Sequence, residues 1–289
     1  MIICIAGKND IAINCAKYVL SLKKYDLIGI VNRNDNGEDG YYFSYKKFLK
    51  ENSIQIVDLE DIYKIEKLYF FSVEFDRILK IEKFVSQNLF NIHFSLLPKY
   101  KGVYTSAIPI LNGENESGVT LHKIDNGIDT GDIIEQVSFK IFEDDTCDTL
   151  YRKYMKYGFE VFKRNLEKII CGKVKFQKQN YEYSTYHSKK YIDYQNLKID
   201  LNKTAWQIKN QIRAFYCPAF QIPEVHGFKI FKAEILNRKS YKKPGTILEN
   251  TEKYMIIATV DYDLKLLKVK GKINDTVFRL KKNKFTISR

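Results

Sequence analysis

Short β-branched runs alternate with longer amphipathic stretches over roughly the first ninety residues, the pattern of parallel strands joined by helices. Residues 1–6 predict a buried strand, and Gly7 turns the chain. Ile11, Cys15, Tyr18, Val19 and Leu22 then recur at helical spacing and predict the first crossover helix. Residues 27–31 predict a second strand, and residues 32–40, rich in Asn, Asp and Gly, a loop. A helix over 43–51, strands over 53–57 and 67–71, a helix over 78–85 and a strand over 89–93 complete the series. The pattern implies an α/β fold built on a doubly wound, mostly parallel, Rossmann-like sheet. The ligand crevice of such a sheet lies outside the carboxyl ends of its strands.

After His93 the pattern changes. Pro98, Gly102 and Gly113 mark a long loop, and strands are predicted over 119–124 and 133–141. Residues 146–170 carry the apolar period of one long helix, with Asp144 or Asp145 near its start and Gly172 just beyond its end. Residues 173–191 are polar and tyrosine-rich, without a clean period, and read as a linker strand or arm. From residue 192 a short helix over 205–214 and β-like runs over 229–236, 255–260 and 264–269 predict a small barrel-like module. The expected division is residues 1–190 and a smaller, mainly β domain over residues 191–289.

Composition changes this picture little: 45% of the 289 residues are hydrophobic and 29% charged, which fits neither a disordered chain nor a disulfide-stapled miniprotein. No apolar run approaches the roughly 18 residues that span a bilayer. Residues 1–7 lack a charged lead-in and are followed by Lys8, Asn9 and Asp10, so a first strand is expected rather than a signal peptide. The five cysteines, Cys4, Cys15, Cys147, Cys171 and Cys217, form no C-x-x-C pair and have no histidine at ligand spacing. Reduced cytosolic thiols and no metal site are therefore expected.

Charge adds more. The 48 Lys and Arg against 35 Asp and Glu give +13, enough to suggest an anionic partner such as a nucleotide, phosphate, RNA or a membrane surface. Residues 191–289 hold 20 basic and 9 acidic residues, so +11 of the excess sits in the last third.

The chemistry concentrates in Asn91-Ile-His93-Phe-Ser95-Leu-Leu-Pro98-Lys-Tyr-Lys-Gly102, Gly118-Val-Thr-Leu-His122 and Asp125-Asn-Gly127-Ile-Asp129-Thr-Gly131-Asp132. Asn91 and His93 sit two apart at the end of a predicted strand, so both side chains reach one crevice. A histidine there can move a proton near neutral pH, and an Asn amide can donate to an oxygen gaining negative charge. A carboxylate on a glycine-flanked loop can orient the imidazole and favour its charged form. These are the parts that acyl-group transfer to an amine requires. Gly7-Lys8-Asn9 is not a G-x-G-x-x-G fingerprint, which disfavours nicotinamide binding. That turn opens on the crevice, where Lys8 and Asn9 can contact an anionic substrate. His122, inside a predicted strand, is expected to be structural, and His187 and His226 have no role assigned.

At these motifs the sequence strongly resembles the formyltransferases that use N10-formyltetrahydrofolate, among them methionyl-tRNA formyltransferase, glycinamide ribonucleotide formyltransferase and nucleotide-sugar N-formyltransferases. The likeness covers roughly residues 1–141, with Asn91-x-His93, Ser95-Leu-Leu-Pro98 and Asp129-Thr-Gly-Asp132 in family order and spacing. It implies that Asn91, His93 and Asp129 form the catalytic set. It also implies that Phe75-Asp-Arg77-Ile78-Leu79 lines the pterin pocket and that Asp125, Asn126, Gly127 and Ile128 close over the folate from the other side. A cytosolic homodimer that needs no metal is the corresponding family-level expectation.

In methionyl-tRNA formyltransferases the Leu-Leu-Pro turn commonly continues Arg-Gly-Ala-Ala-Pro, whereas here it reads Lys101-Gly-Val-Tyr104-Thr-Ser-Ala-Ile-Pro109. With Ile5-Ala-Gly-Lys-Asn9, this version is similar to the enzymes that act on dTDP-linked amino-dideoxyhexoses. The resemblance implies a 3-amino-3,6-dideoxyhexose acceptor, the 4-amino isomer next, with a product feeding surface polysaccharide such as lipopolysaccharide O-antigen. A dTDP-sugar needs cations for its pyrophosphate and flat side chains for its base. Arg213, with Phe215 and Tyr216 beside it, is expected to supply both, together with Lys8, Asn9 and Tyr104.

The alternatives are methionyl-tRNA formylation, a non-catalytic folate- or nucleotide-binding module, and a folate-dependent hydrolase releasing formate. The basic last third favours the tRNA reading. Nucleic acid is nevertheless disfavoured, because aromatic residues do not interleave those charges as a base-stacking platform demands.

Overall fold

The computed structural model describes residues 1–269; the last part of the expected C-terminal module, 270–289, lies outside the described residues. The chain runs β1 (Ile2–Gly7), α1 (Asn9–Leu22), β2 (Asp26–Val31), α2 (Tyr45–Glu51), β3 (Gln55–Ile56), α3 (Leu59–Ile62), β4 (Leu68–Val73) and β5 (Leu89–His93). It continues through β6 (Lys101–Gly102), α4 (Ile108–Leu111), β7 (Glu116–Lys123), β8 (Ile133–Lys140), α5 (Cys147–Ile170) and β9 (Tyr186–His187). The remainder is α6 (Ala205–Phe215), β10 (Glu224–Val225), β11 (Phe228–Lys239), β12 (Ile247–Asn250), β13 (Tyr254–Ile257) and β14 (Tyr262–Lys268).

Seven strands form the main sheet in the order β3-β2-β1-β4-β5-β7-β8. β3, β2, β1, β4 and β5 are parallel, β7 runs antiparallel to β5, and β8 at the edge runs antiparallel to β7. Alternate residues of β1 feed opposite cores, as the pleat requires. Ile3 and Ile5 pack with Ile11, Val19 and Phe162 on the α1 and α5 side, while Cys4 and Ala6 pack with Leu59, Ile62 and Phe84 on the other. α5 starts at the N-cap Thr146, whose hydroxyl accepts from Thr149 N, and buries a stripe through Leu150, Tyr154, Val161, Phe162 and Leu166. A Cβ on Gly7 would lie 1.8 Å from Val73 O, so only glycine lets the carboxyl end of β1 approach β4. That close approach brings the Gly7-Lys8-Asn9 turn beside Glu74.

A second, five-stranded antiparallel sheet has the order β10-β11-β14-β13-β12. α6 covers it with Ala205, Ile208 and Ile212 against Ile230, Ala233, Met255 and Leu264. The same helix sends Ala214 and Phe215 into the main core.

Three expectations need correction. Residues 78–85 form no α-helix: only a 3-10 turn occurs, at Ile81–Lys83. The apolar residues there do not share one face, for Ile78 is 78% exposed while Leu79, Ile81 and Phe84 pack on the second core. The strand expected over 53–57 is reduced to Gln55–Ile56, and the expected long loop after His93 contains the short helix α4. The arm at 173–191 is better organised than its sequence suggests. Gln177 bridges to Ile133, and Tyr186–His187 pairs in parallel with Lys101–Gly102.

Candidate active site

Strand pairing builds the centre. Asn91 and His93 stand two apart on β5, and the register sets Asn91 opposite His122 and His93 opposite Thr120 on β7. Cross-strand partners share a face, so Asn91, His93 and His122 converge on one side of the sheet. Asp129 arrives from the β7–β8 loop with φ 54°, the left-handed conformation that Asp tolerates better than most residues.

The hydrogen bonds fix the orientation of each group. His122 Nδ1 donates to Lys123 O at 2.8 Å, so its Nε2 carries a lone pair and accepts from Asn91 Nδ2 at 3.1 Å. The other amide hydrogen of Asn91 points to Asp129 Oδ1 at 3.3 Å. Asp129 Oδ2 accepts from the Gly102 amide at 2.8 Å. His93 is only 7% exposed, with Nε2 donating to Tyr100 O at 2.8 Å and Nδ1 3.5 Å from Asp129 Oδ1. Asn91, His93 and Asp129 are thus brought together as the motifs implied.

His122 belongs with them, since it fixes which way the Asn91 amide faces. Burial pushes its pKa down to about 4 against the pull of Asp129, which agrees with the neutral tautomer the bonding requires. An unfolded histidine takes up its proton near 6.5. The stabilising effect of burying it neutral is therefore complete above about pH 6.5 and lost as pH falls toward 4, a change on the order of 3 kcal/mol. Urea titrations at pH 7 and pH 4.5 should show His122→Gln losing less stability across that interval than the wild type. Equal losses would mean that His122 does not titrate with unfolding.

Lys101 is the other group that sequence reasoning missed. It is 4% exposed, its ammonium lies over the Tyr181 ring at 4.8 Å, and burial lowers its pKa against Asp129 and Asp125.

The two segments that the resemblance assigns to the folate share a common support. Phe75, Leu79 and Ile124 pack on the second core, which anchors the loop carrying Arg77 and Ile78 and the loop entering Asp125. Ile78 and Ile128 are exposed, and Arg77 Nε is buried without a hydrogen-bond partner. Asp125 shapes its own loop, accepting from Gly127 N at 3.1 Å and Thr130 Oγ1 at 2.6 Å, while Asn126 and Gly127 lie on the surface.

Lys8 and Asn9 border a pocket of about 170 Å³ whose other walls include Tyr41, Tyr42, Phe43 and Phe220. Asn9 Nδ2 donates to the Tyr151 hydroxyl at 2.8 Å, which donates to Glu74 Oε2 at 2.9 Å; Lys8 Nζ is 3.9 Å from the same oxygen. The Tyr151 ring lies 5.8 Å from that of Phe94, the neighbour of His93. Arg152 stacks over Tyr41 and Tyr42 at 5.0 and 5.4 Å. Tyr216 lies at the end of α6 beside Asp148, the carboxylate that both Tyr41 and Tyr42 hydroxyls approach. Tyr104 packs edge-on against Tyr194 and donates to Lys189 O at 3.4 Å, so its contacts are with the arm and the residues after it.

Arg213 does not join this group. Its guanidinium donates to Asp145 O at 2.8 Å, Phe142 O at 3.0 Å and Asn210 Oδ1 at 3.0 Å, fastening α6 to the lead-in of α5. It lines a separate groove of about 430 Å³ with Trp206, Lys209 and Lys232. Arg213→Ala should therefore lower stability by about 1–3 kcal/mol and leave the acceptor KM unchanged. A markedly raised acceptor KM at unchanged stability would return Arg213 to the nucleotide.

This centre holds the groups acyl transfer uses, an Asn amide, a histidine and an orienting carboxylate, in one crevice. The formyl transferase family profile matches residues 25–166, and the formyl transferase C-terminal domain profile matches residues 191–277. A methionyl-tRNA formyltransferase of Clostridioides difficile (strain 630) is 31% identical over 273 residues, covering 88% of this chain and 87% of its own. The chain belongs to the formyl transferase family, and it is a formyl-transferring enzyme.

Among solved structures, WlaRD, a sugar 3N-formyl transferase crystallised in the presence of dTDP and 5-N-formyl-THF, is 46% identical with a TM-score of 0.86. The match covers 94% of this chain and 99% of that one. An N-formyltransferase from Helicobacter canadensis, in complex with folinic acid and dTDP-3-aminofucose, is 44% identical with a TM-score of 0.85, covering 93% and 100%. Among the described residues, no helix is long and apolar enough to cross a membrane, and no group of three or more His, Cys, Asp or Glu is arranged to hold a metal ion.

Proposed function

We propose that this enzyme moves the formyl group of N10-formyltetrahydrofolate onto the amino group of a dTDP-linked 3-amino-3,6-dideoxyhexose. The observation that carries the reading is the pairing of the Asn91, His93 and Asp129 centre with a neighbouring pocket that combines Lys8 with the rings of Tyr41, Tyr42, Phe43 and Phe220. Pyrophosphate and thymine require that combination of cation and flat surfaces. The turn at Lys8 also opens α1, whose amino-terminal N–H groups favour a phosphate. The ligands named for WlaRD and for the Helicobacter canadensis enzyme, dTDP or dTDP-3-aminofucose with a formyl folate, support the same pairing.

The residues around the crevice suit the donor. Ile78 and Ile128 offer apolar surface to a flat ring, and the buried, unpartnered Arg77 Nε is a donor awaiting an acceptor. Arg77, Ile78 and Leu79 would hold the donor on one side, and Asp125 to Ile128 on the other. The donor supplies an electrophilic formyl carbon. As the sugar amine adds to it, the Asn91 amide, whose hydrogens here point to His122 and Asp129, and the His93 ring, whose Nε2 here donates to Tyr100 O, would turn an N–H toward the oxygen that gains charge. Asp129 orients the His93 ring, which takes the amine proton and returns it to the donor's N10 as the bond between N10 and the formyl carbon breaks and tetrahydrofolate leaves. All five cysteines are free, in keeping with a reducing, cytosolic setting, and the formylated sugar would enter surface-polysaccharide assembly.

The test is an acceptor panel. With the formyl donor present, a dTDP-3-amino sugar should gain the mass of a formyl group, while UDP- and GDP-linked amino sugars react far more slowly. Formate release that does not depend on any acceptor would instead make the enzyme a hydrolase.

A further inference from the structure

We propose that Gln179, on the arm that follows α5, is the positioning residue for Asp129; the inference rests on Asp129 acting in the reaction as described above. Asp129 occupies the left-handed region at φ 54°, a conformation that costs an L-residue on the order of 1 kcal/mol and persists only where surroundings hold it. Within its own loop the Asp125 carboxylate accepts from Gly127 and Thr130 rather than from Asp129, and Asn126, Gly127 and Ile128 are exposed. The holding comes from outside that loop. Gln179 Nε2 donates to Asp129 O at 2.9 Å and to Gly131 O at 2.8 Å, which spends both hydrogens of the amide on the two carbonyls that bracket the turn.

The clamp is rigid on both sides. Gln179 is 5% exposed, so no water replaces it readily. Turning its amide over would set Oε1 against two carbonyl oxygens, and Oε1 is left buried with no partner in the orientation observed. Gly131 cannot move aside, because a Cβ there would meet Lys123 O at 1.8 Å, and the backbones at this point are already in contact.

The same arm holds the far side of the carboxylate. Lys101 N donates to Thr185 O at 2.9 Å, Val103 N donates to His187 O at 3.0 Å, and the Gly102 amide between them is the donor to Asp129 Oδ2. Residues 179 to 187 therefore grip Asp129 twice, by its backbone through Gln179 and by its carboxylate through Gly102. Gln179 touches neither reactant in this scheme. It acts by keeping the Asp129 carboxylate on His93 and Asn91.

The test compares Gln179→Met and Gln179→Glu, alone and combined with Asp129→Asn, with thermal midpoints recorded to show that each variant is folded. Either single variant should lower kcat by about 10–100-fold, the scale on which a small misplacement of a catalytic group acts, with both KM values within about twofold. Each double variant should be no slower than Asp129→Asn alone, because a residue that works through Asp129 has nothing left to position. Glycine-selective labelling supplies a readout independent of turnover: the Gly102 amide should exchange with solvent faster in both single variants, on the order of tenfold.

Wild-type kcat, losses that multiply in the double variants, or unchanged Gly102 exchange in folded variants would each overturn the inference. A wild-type enzyme that formylates none of the amino sugars would sink the substrate reading instead, and Gly102 exchange would still decide the clamp.

Discussion

His93→Asn should lower kcat by about 10²–10⁴-fold, the range a positioned acid or base contributes, with the protein folded and both substrates bound nearly normally. The imidazole is enclosed between Tyr100 O at 2.8 Å and Asp129 Oδ1 at 3.5 Å. An Asn side chain is too short to reach both and has no group that exchanges a proton near neutral pH. Tyr100 is held independently of the ring: its amide donates to Thr185 Oγ1 at 2.7 Å and its hydroxyl to Glu114 Oε1 at 2.6 Å. The loop should therefore survive the substitution. Steady-state kinetics with a melting curve checks this, and turnover near that of the wild type would remove His93 from the chemistry.

Asp129→Asn should reduce kcat by about 10²-fold or more with substrate affinities changed only a few-fold. Asn tolerates the left-handed backbone at this position, and its amide oxygen can still accept from the Gly102 N–H. What is lost is the negative charge facing His93 and Asn91, the part of Asp129 to which the proposed mechanism gives a role. Should the variant keep its kcat and lose donor affinity, Asp129 would be a loop-shaping residue in the folate wall.

That Asn91 and His93 come together was legible because the signal is local. Asn91 and His93 are two residues apart on one strand, and the period-2 rule places them on one face without knowledge of the rest of the chain. His122 was read as structural because its meaning depends on register: only the antiparallel pairing of β7 with β5 puts it opposite Asn91. Gln179 and Lys101 were hidden for the same reason, since the arm returns to the site across sequence separations that no short motif records. An α-helix was expected over residues 78–85 because apolar spacing can mimic a helical stripe while the chain sends Ile78 outward and Leu79, Ile81 and Phe84 inward.

Arg213 shows the converse error. An arginine near aromatic residues in a basic region suggests an anion site, but backbone carbonyls also accept from a guanidinium and are invisible in a sequence. The aromatic wall at Tyr41, Tyr42 and Phe43 sits in a segment whose Asn, Asp and Gly content marked only its amino-terminal part as a loop. A scan for rings flanking the crevice loops, rather than rings near cations in the basic third, would have found it.

The central claim is that this centre formylates a nucleotide-linked amino sugar rather than an aminoacyl-tRNA. The most direct measurement places a dTDP-3-amino-3,6-dideoxyhexose and charged initiator tRNA in one reaction with a donor carrying a labelled formyl carbon, and follows the label. The label should appear in an amide on the sugar nitrogen, with kcat/KM for the sugar exceeding that for the tRNA by about 10³-fold or more. Label accumulating on the methionyl-tRNA, with the sugar left unmodified, would contradict it.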